Sequence, residues 1–128
     1  MYERILLATD GSDHTRRAAE YVRTLADRFD AEVHVLAVAD VGSVSVAFDT
    51  GGIEQEVIER LQRQSEEWAA ETGAFVDAAE TAVRSGKPRE EILNYAAEHD
   101  VDLLAMGTHG RAGIRRYVIG SVTEHVLR

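Results

Sequence analysis

Short, nearly continuous apolar runs are the feature that most restricts the folds open to this chain. They occupy residues 4–9, 32–39 and 102–107, and a weaker run covers residues 80–85. Runs of this length without polar alternation predict strands buried on both faces, as in a parallel sheet covered by helices. A chain of 128 residues fits one such domain, spanning 1–128.

The segments between these runs have helical periodicity. Two apolar stripes are predicted to face the sheet, and they consist of Ala18, Val22, Leu25, Ala26 and Phe29 in the first segment and Ile53, Val57, Leu61, Trp68 and Thr72 in the second. Trp68 is thus expected in the core. A third helix is predicted over 88–100, because Pro88 suits a first helical turn. Right-handed crossovers then give an α/β fold, an open twisted parallel sheet with helices on both faces, whose ligand crevice lies beyond the carboxyl ends of the strands.

Composition limits the partners and the location of the protein. The 14 basic residues face 23 acidic ones, for a net charge of -9, which disfavours binding to nucleic acid or an anionic membrane. No apolar run approaches the roughly 18 residues of a membrane span, and no signal-peptide pattern follows Met1, so a cytoplasmic location is expected. The stretch 40–52, rich in small residues, is interpreted as a surface connection, with a lid over the crevice as the alternative.

A glycine-rich stretch at 107–121 is the clearest candidate for a binding site. It contains four glycines and three arginines, and no acidic residue occurs between Asp102 and Glu124. If Ser121 begins a helix, the free amides of that helix and the glycine backbone suit a phosphate group. The alternative needs no ligand, because glycines also mark turns and Ser121 with Glu124 forms a capping box. The lysine of a P-loop and the G-x-G-x-x-G dinucleotide pattern are both absent.

The spacing Gly107-x2-Gly110-x9-Gly120-Ser121 resembles the G-x2-G-x9-G-[ST] motif of the ATP-binding branch of the universal stress protein family. The stretches ILLATDGS, VHVLAVAD, VRSGKPREEIL and DLLAMGTHGRAG extend the similarity over the rest of the chain. The resemblance implies a Rossmann-like, adenine nucleotide alpha hydrolase-like fold. It also implies a homodimer, although the final strand of the family is expected to be missing because the chain stops at Arg128.

The same resemblance implies which residues contact the nucleotide. The backbone near Val38 would read the adenine, and Asp10 would lie near the ribose or the phosphates, where it binds a ribose hydroxyl or Mg²⁺. Met106 and Gly107 would line the pocket, and the phosphates would be surrounded by Gly110, Gly120, Ser121, Val122 and Thr123. The expected contact residues are Ala8, Thr9, Asp10, Val38, Met106, Gly107, His109, Gly110, Arg111, Gly120, Ser121, Val122 and Thr123. Asp10 needs a hydroxyl or a cation as its partner, because a carboxylate repels phosphate oxygens. A turn-forming role of Asp10 in DGS is the alternative.

Three functional classes follow from these expectations. The preferred one is a stress-response regulator that binds ATP, with ADP or AMP as related ligands, and an unknown protein partner. The second is a slow Mg²⁺-dependent ATP hydrolase, for which Asp10 and His109 are the weak candidate bases. The third is a dimeric adaptor or chaperone-like protein without nucleotide. No zinc site is expected, because the five histidines lack metal-ligand spacing.

Overall fold

The order of strands and helices follows the predicted alternation. The computed structural model describes residues 3–11, 13–40, 51–109 and 115–121. Its elements are β1 (Arg4–Thr9), α1 (Asp13–Phe29), β2 (Glu32–Ala39), α2 (Gly51–Val76), β3 (Glu80–Ser85), α3 (Pro88–Glu98), β4 (Leu103–His109) and β5 (Arg115–Ser121). The first three predicted strands are confirmed, and the fourth begins one residue later than predicted and continues to His109.

The strands of the described residues form one sheet in the order β3-β2-β1-β4-β5. The pairs β1–β2, β2–β3 and β1–β4 are parallel. The chain winds outward from β1 to β3 and then returns through α3 to β4, so the winding direction reverses between β1 and β4. The predicted α/β fold is confirmed, and its topological switch point lies beside the turn that follows β1.

Both faces of the sheet are buried, which explains why the strand sequences are apolar without alternation. In β1, Ile5 and Leu7 pack in a cluster with α1 and α2, whereas Leu6 packs with α3. All three side chains are fully buried. Leu36 and Leu104 join Leu6 on the α3 face. Because burying one such side chain contributes roughly 1.5–3 kcal/mol, a sheet with either face exposed would lose much of its stability.

Helix α2 packs on the sheet through smaller residues than the sequence predicts. Among its described side-chain positions, the buried ones are Ser65, Ala69, Gly73 and Val76. The predicted stripe is half-buried at Val57, Leu61, Trp68 and Thr72, and the side chain of Ile53 lies outside the described residues. A Cβ added to Gly73 would lie 2.5 Å from Thr81 Cγ2, so the helix backbone closely approaches β3. Small side chains are buried here because larger ones would hold the helix away from the sheet.

The stretch interpreted as a surface connection or lid is only partly described. Residues 41–50 lie outside the described residues, and Gly51 and Gly52 already belong to α2. Helix α2 is long, with 26 residues. Within the described part of the chain, however, neither it nor another helix is long and apolar enough to cross a membrane.

Strand β5 departs from the prediction, which placed a glycine loop and the start of a helix in this stretch. It runs antiparallel to β4, and Gly120 and Ser121 pair with Leu104 and Leu103. Ser121 is therefore the last residue of a strand and not the first of a helix. The sequence RRYVI explains the difference, because aromatic and β-branched residues favour strands and the outer edge of β4 has backbone groups to pair. Residues 122–128 lie outside the described residues.

Three aspartates form the turns at the amino edge of the sheet, where helices lead back into strands. Asp30, Asp77 and Asp100 follow α1, α2 and α3, and their φ angles are 53°, 55° and 52°. This left-handed conformation is usually taken by glycine at a helix end, and aspartate is among the few other residues that tolerate it. The amino edge therefore repeats one tight turn three times.

A buried polar cluster lies at the same edge and is called the histidine cluster here, comprising His34, Tyr95 and His99. The Tyr95 hydroxyl lies 2.8 Å from His34 Nδ1, and the Tyr95 and His99 rings stack with centroids 3.9 Å apart. The carboxylates of Glu32 and Glu80 lie 3.5 and 3.7 Å from the two ring nitrogens of His34. Burial, and then the charge of Glu80, raises the pKa of Tyr95. The hydroxyl therefore stays neutral and available for hydrogen bonding.

Replacing Tyr95 by phenylalanine tests this cluster. The substitution removes the hydroxyl that faces the buried imidazole of His34, and we expect the free energy of unfolding to fall by about 1–3 kcal/mol. The control is Tyr21→Phe, since Tyr21 is 55% exposed and its variant should stay within about 0.5 kcal/mol of the parent. Urea denaturation of both variants measures the difference, and equal losses would contradict the role given to the Tyr95 hydroxyl.

Candidate functional site

The candidate site lies at the carboxyl edge of the sheet, next to the point where the winding reverses. Asp10 follows the last residue of β1, and Ala8 pairs with Met106 of β4. On the other side of β1, the last pair with β2 joins Thr9 to Ala37. Residues from three neighbouring strands therefore meet where the fold class places ligands.

A cavity of about 190 Å³ opens at this edge. Five residues predicted to contact nucleotide line it, namely Ala8, Thr9, Asp10, Val38 and Met106. The structure thus brings together the part of the predicted site that comes from β1, β2 and β4. Pockets that enclose a whole drug-sized ligand have volumes of about 300–1,000 Å³. The cavity therefore suits a nucleobase and its sugar, with a longer ligand extending beyond it.

Thr15 holds the carboxylate of Asp10 in place. The Thr15 hydroxyl donates a 2.8 Å hydrogen bond to Asp10 Oδ1, and the backbone N–H of Asp10 points back at the same hydroxyl at 3.4 Å. Thr15 is only 3% exposed, whereas Asp10 is exposed. Since Thr15 lies in the first turn of α1, a buried helix residue fixes the orientation of a carboxylate at the cavity mouth.

The cavity wall combines apolar side chains with a free strand edge. Strand β2 continues its pairing with β3 to Ala39, two residues beyond its last pair with β1. The backbone of Val38 therefore has no strand partner on the β1 side within the described residues. Leu36, Ile92 and Met106 supply apolar surface nearby. An apolar slot beside the end of a strand that extends past its neighbour suits a flat heterocycle with polar edges.

Sequence reasoning missed four of the residues that line the cavity: Thr15, Leu36, Pro88 and Ile92. Pro88 lies there because the Gly86 N–H donates a 3.0 Å hydrogen bond to the Ala39 carbonyl, which fixes the loop before α3 against the end of β2. The sequence contains a signal for this loop. GKP directly follows the predicted strand 80–85, and the residue after a parallel strand lies at the carboxyl edge of the sheet, where the cavity is. No local pattern identifies Thr15, because its contact with Asp10 depends on how α1 lies against the turn after β1.

Of the residues predicted near the phosphates, those that the structure describes lie at two different levels of the sheet. Gly107 and His109 continue β4, whereas Gly120 and Ser121 lie in β5 at the level of Leu104 and Leu103, toward the amino end of β4. The remaining residues of this group lie outside the described part of the chain, and they are Gly110, Arg111, Val122 and Thr123.

Charge is sparse in the cavity. Among the described residues that line it, Asp10 is the one ionisable side chain. The described part of the chain also contains no group of three histidine, aspartate or glutamate side chains arranged to hold a metal ion. A single carboxylate is compatible with Mg²⁺, which keeps several waters and is commonly held by one or two carboxylates together with substrate phosphates.

Similarity to known proteins covers the whole chain. The family model described as the universal stress protein family matches residues 1–128. The chain is 32% identical to universal stress protein MJ0531 of Methanocaldococcus jannaschii, over 100% of this chain and 77% of that protein.

Solved structures share the fold. Universal stress protein UspA of Lactobacillus plantarum matches with a TM-score of 0.73 at 25% identity, over 98% of this chain and 90% of that one. A family protein of Arabidopsis thaliana with AMP bound matches with a TM-score of 0.56 at 14% identity, over 85% and 78% of the two chains. At this low identity the second match compares the fold alone. The family model, the relative and the fold agree, and the chain belongs to the universal stress protein family.

Proposed function

We propose that this protein binds ATP at the carboxyl edge of its sheet and acts as a nucleotide-dependent regulator in a stress response. The observation that supports this best is the cavity at the switch point, where five of the predicted contact residues lie together. The Arabidopsis structure of the same fold holds an adenine nucleotide, AMP.

The base and the sugar have identifiable partners in the cavity. The adenine ring enters the apolar slot beside Ile92 and Met106, and its polar edge meets the backbone of β2 near Val38, beyond the last pair with β1. The ribose hydroxyls lie toward Asp10, whose carboxylate accepts hydrogen bonds and is already oriented by Thr15. A charge-assisted hydrogen bond of this kind is stronger than one between neutral groups.

The proposed binding of the phosphate groups is supported by the sequence motif. The phosphates leave the small cavity along the end of β4, toward Gly107 and the residues that follow it. The motif supplies Gly110, and neighbouring Arg111 contributes positive charge. Its other members, Gly120 and Ser121, lie in β5 beside Leu104 and Leu103, so their part in phosphate binding is proposed from the sequence motif alone. Asp10 is the residue that would hold a Mg²⁺ ion, whose positive charge would offset the repulsion between this carboxylate and the phosphates.

Binding without rapid turnover fits the cavity better than catalysis. Phosphoryl transfer to water needs a group that positions the attacking water as well as groups that stabilise the developing charge. Among the described lining residues, Asp10 is the one ionisable group, and it is already engaged by Thr15. ATP occupancy is therefore the regulatory signal in this proposal. ADP and AMP, which share the base and the sugar, compete for the same cavity.

A cytoplasmic homodimer is part of the same proposal and comes from the family resemblance. An adaptor function without nucleotide would keep the dimer and leave the cavity empty. Sedimentation over micromolar protein concentrations measures the assembly. A monomer throughout that range would remove the dimer from the proposal while leaving nucleotide binding in place.

The first test replaces Asp10 by asparagine and measures the binding of Mg²⁺-ATP by titration calorimetry. Asparagine keeps the size of the side chain but removes its charge, so we expect affinity to fall about tenfold or more, as for the loss of a hydrogen bond to a charged group. Asp77→Asn is the matched control, because Asp77 is an exposed turn residue at the opposite edge of the sheet.

A second variant, Gly120→Val, separates the glycine motif from the cavity. Loss of affinity in Asp10→Asn and Gly120→Val, with Asp77→Asn unchanged, supports the whole proposal. Full affinity in Gly120→Val would remove the motif from it. A folded parent protein that neither carries nucleotide after purification nor binds added Mg²⁺-ATP would overturn the proposal and favour the adaptor. Release of ADP during incubation, abolished by Asp10→Asn, would favour the hydrolase.

The orientation of Asp10 can be tested through Thr15. Thr15→Val keeps the shape of the side chain but removes the hydroxyl, so we expect stability to fall by about 1–2 kcal/mol and ATP affinity to fall with it. Thr15→Ser keeps the hydroxyl and should retain ATP affinity close to that of the parent. Denaturant unfolding and calorimetry measure the two effects, and equal ATP affinity in the two variants would show that the hydroxyl does not orient the carboxylate.

A further inference from the structure

A second and larger cavity lies on the other face of the sheet, between α1 and α2. Its volume is about 530 Å³, and its walls include Thr9, Thr15, Trp68 and Thr72. Thr9 and Thr15 also line the candidate nucleotide cavity. The two cavities are therefore separated by the turn that carries Asp10, and α2 contacts that turn from behind.

Trp68 covers the backbone of this turn. Gly11 has a φ of 76°, which side-chain-bearing residues rarely adopt. A Cβ on Gly11 would also collide with Nε1, Cε2 and Cδ1 of the Trp68 indole. The indole therefore lies directly against the residue that follows Asp10, and both the backbone conformation and the contact require glycine there.

Thr72, one helical turn beyond Trp68, makes a second contact between α2 and the segment that carries Asp10. Its hydroxyl lies 3.1 Å from the hydroxyl of Thr9, the last residue of β1. Thr9 Oγ1 also accepts a 3.3 Å hydrogen bond from the Gly11 N–H. Residues i and i+4 lie on one face of a helix, so Trp68 and Thr72 together contact Gly11 and Thr9, the two residues that flank Asp10 in the chain.

We propose that Trp68 and Thr72 are positioning residues of the nucleotide site, which hold the Asp10 turn from α2 and respond to the nucleotide in return. This inference rests on the proposed ATP binding. The contacts connect α2 to Asp10 through Thr9 and Gly11. Because coupling between two sites is reciprocal, a helix that orients the turn is itself affected when ATP binds there. Helix α2 is then the element through which occupancy reaches the protein surface.

The sequence supplies the reporter for this coupling. Trp68 is the only tryptophan of the chain, so the indole fluorescence of the whole protein comes from this position. Titration of the folded parent protein with Mg²⁺-ATP should change the emission, with a midpoint equal to the dissociation constant from calorimetry. Since Trp68 is half-buried against the turn, a movement of the turn changes its exposure to water.

Thr72→Val and Thr72→Ser form the decisive pair, with Glu66→Gln on the exposed side of α2 as the control. Valine removes the hydroxyl that reaches Thr9, and we expect ATP to bind about fivefold to tenfold more weakly, whereas serine stays within about twofold of the parent. Trp68→Phe keeps an aromatic ring with less contact to Gly11 and should also weaken binding. Melting temperatures without nucleotide show that each variant is folded.

Each outcome decides the proposal. Weaker ATP binding by Thr72→Val, restored in Thr72→Ser, supports it, since a purely structural role would change the melting temperature and leave the ATP affinity of the folded protein unchanged. Equal ATP affinity in the parent and Thr72→Val overturns it and leaves the proposed function intact. A loss shared equally by Thr72→Ser also overturns it. Absence of ATP binding by the folded parent removes both proposals together.

Discussion

Burial of the sheet on both faces is the constraint from which the rest of the structure follows. Leu6 and Leu7 are adjacent in the chain, face opposite sides and are both fully buried. A strand of this kind needs helices above and below it, and right-handed crossovers place helices on both faces only if the winding reverses. The reversal between β1 and β4 separates the loops at the carboxyl edge and so produces the crevice.

The two edges of the sheet are built differently, and the difference has a functional consequence. At the amino edge, Asp102 Oδ2 accepts hydrogen bonds from the backbone N–H groups of Glu3 and Arg4 at 2.8 and 2.9 Å, which links β4 to β1. The three aspartate turns and the histidine cluster occupy the rest of that edge, beside a cavity of about 280 Å³ that Glu32, His34 and His99 help to line. At the carboxyl edge, β2 extends past β1 and its backbone borders a cavity. Side-chain hydrogen bonds and ring contacts therefore join the strands at the amino edge, whereas at the carboxyl edge residues of β1, β2 and β4 line the candidate nucleotide cavity.

Prediction from the sequence succeeded where a local pattern determines the secondary structure. It was wrong where tertiary contacts determine which residues are buried or which segment forms a strand. The strands 4–9 and 32–39 follow from uninterrupted apolar runs. The buried positions Ser65 and Gly73 of α2 do not follow from hydrophobicity, because they are buried for their small size where the helix approaches the sheet. Strand β5 was missed because glycine spacing dominated the interpretation, although RRYVI has strong strand propensity.

The residues of the candidate site also fall into those that were predicted from the sequence and those that were not. Asp10, Val38 and Met106 were predicted from the resemblance to the family. The topology explains why they line one cavity, because each is at or near the end of a strand, and parallel strands bring their carboxyl ends to one edge. Thr15 and Trp68 were not predicted for the site, because their roles depend on how α1 and α2 lie against the turn after β1. Trp68 was expected in the core from its place in a periodic stripe, and it is half-buried against Gly11 instead. Helical periodicity identifies the helix face that packs on the sheet. It does not show which residues of that face lie beyond the edge of the sheet and contact the turn after β1.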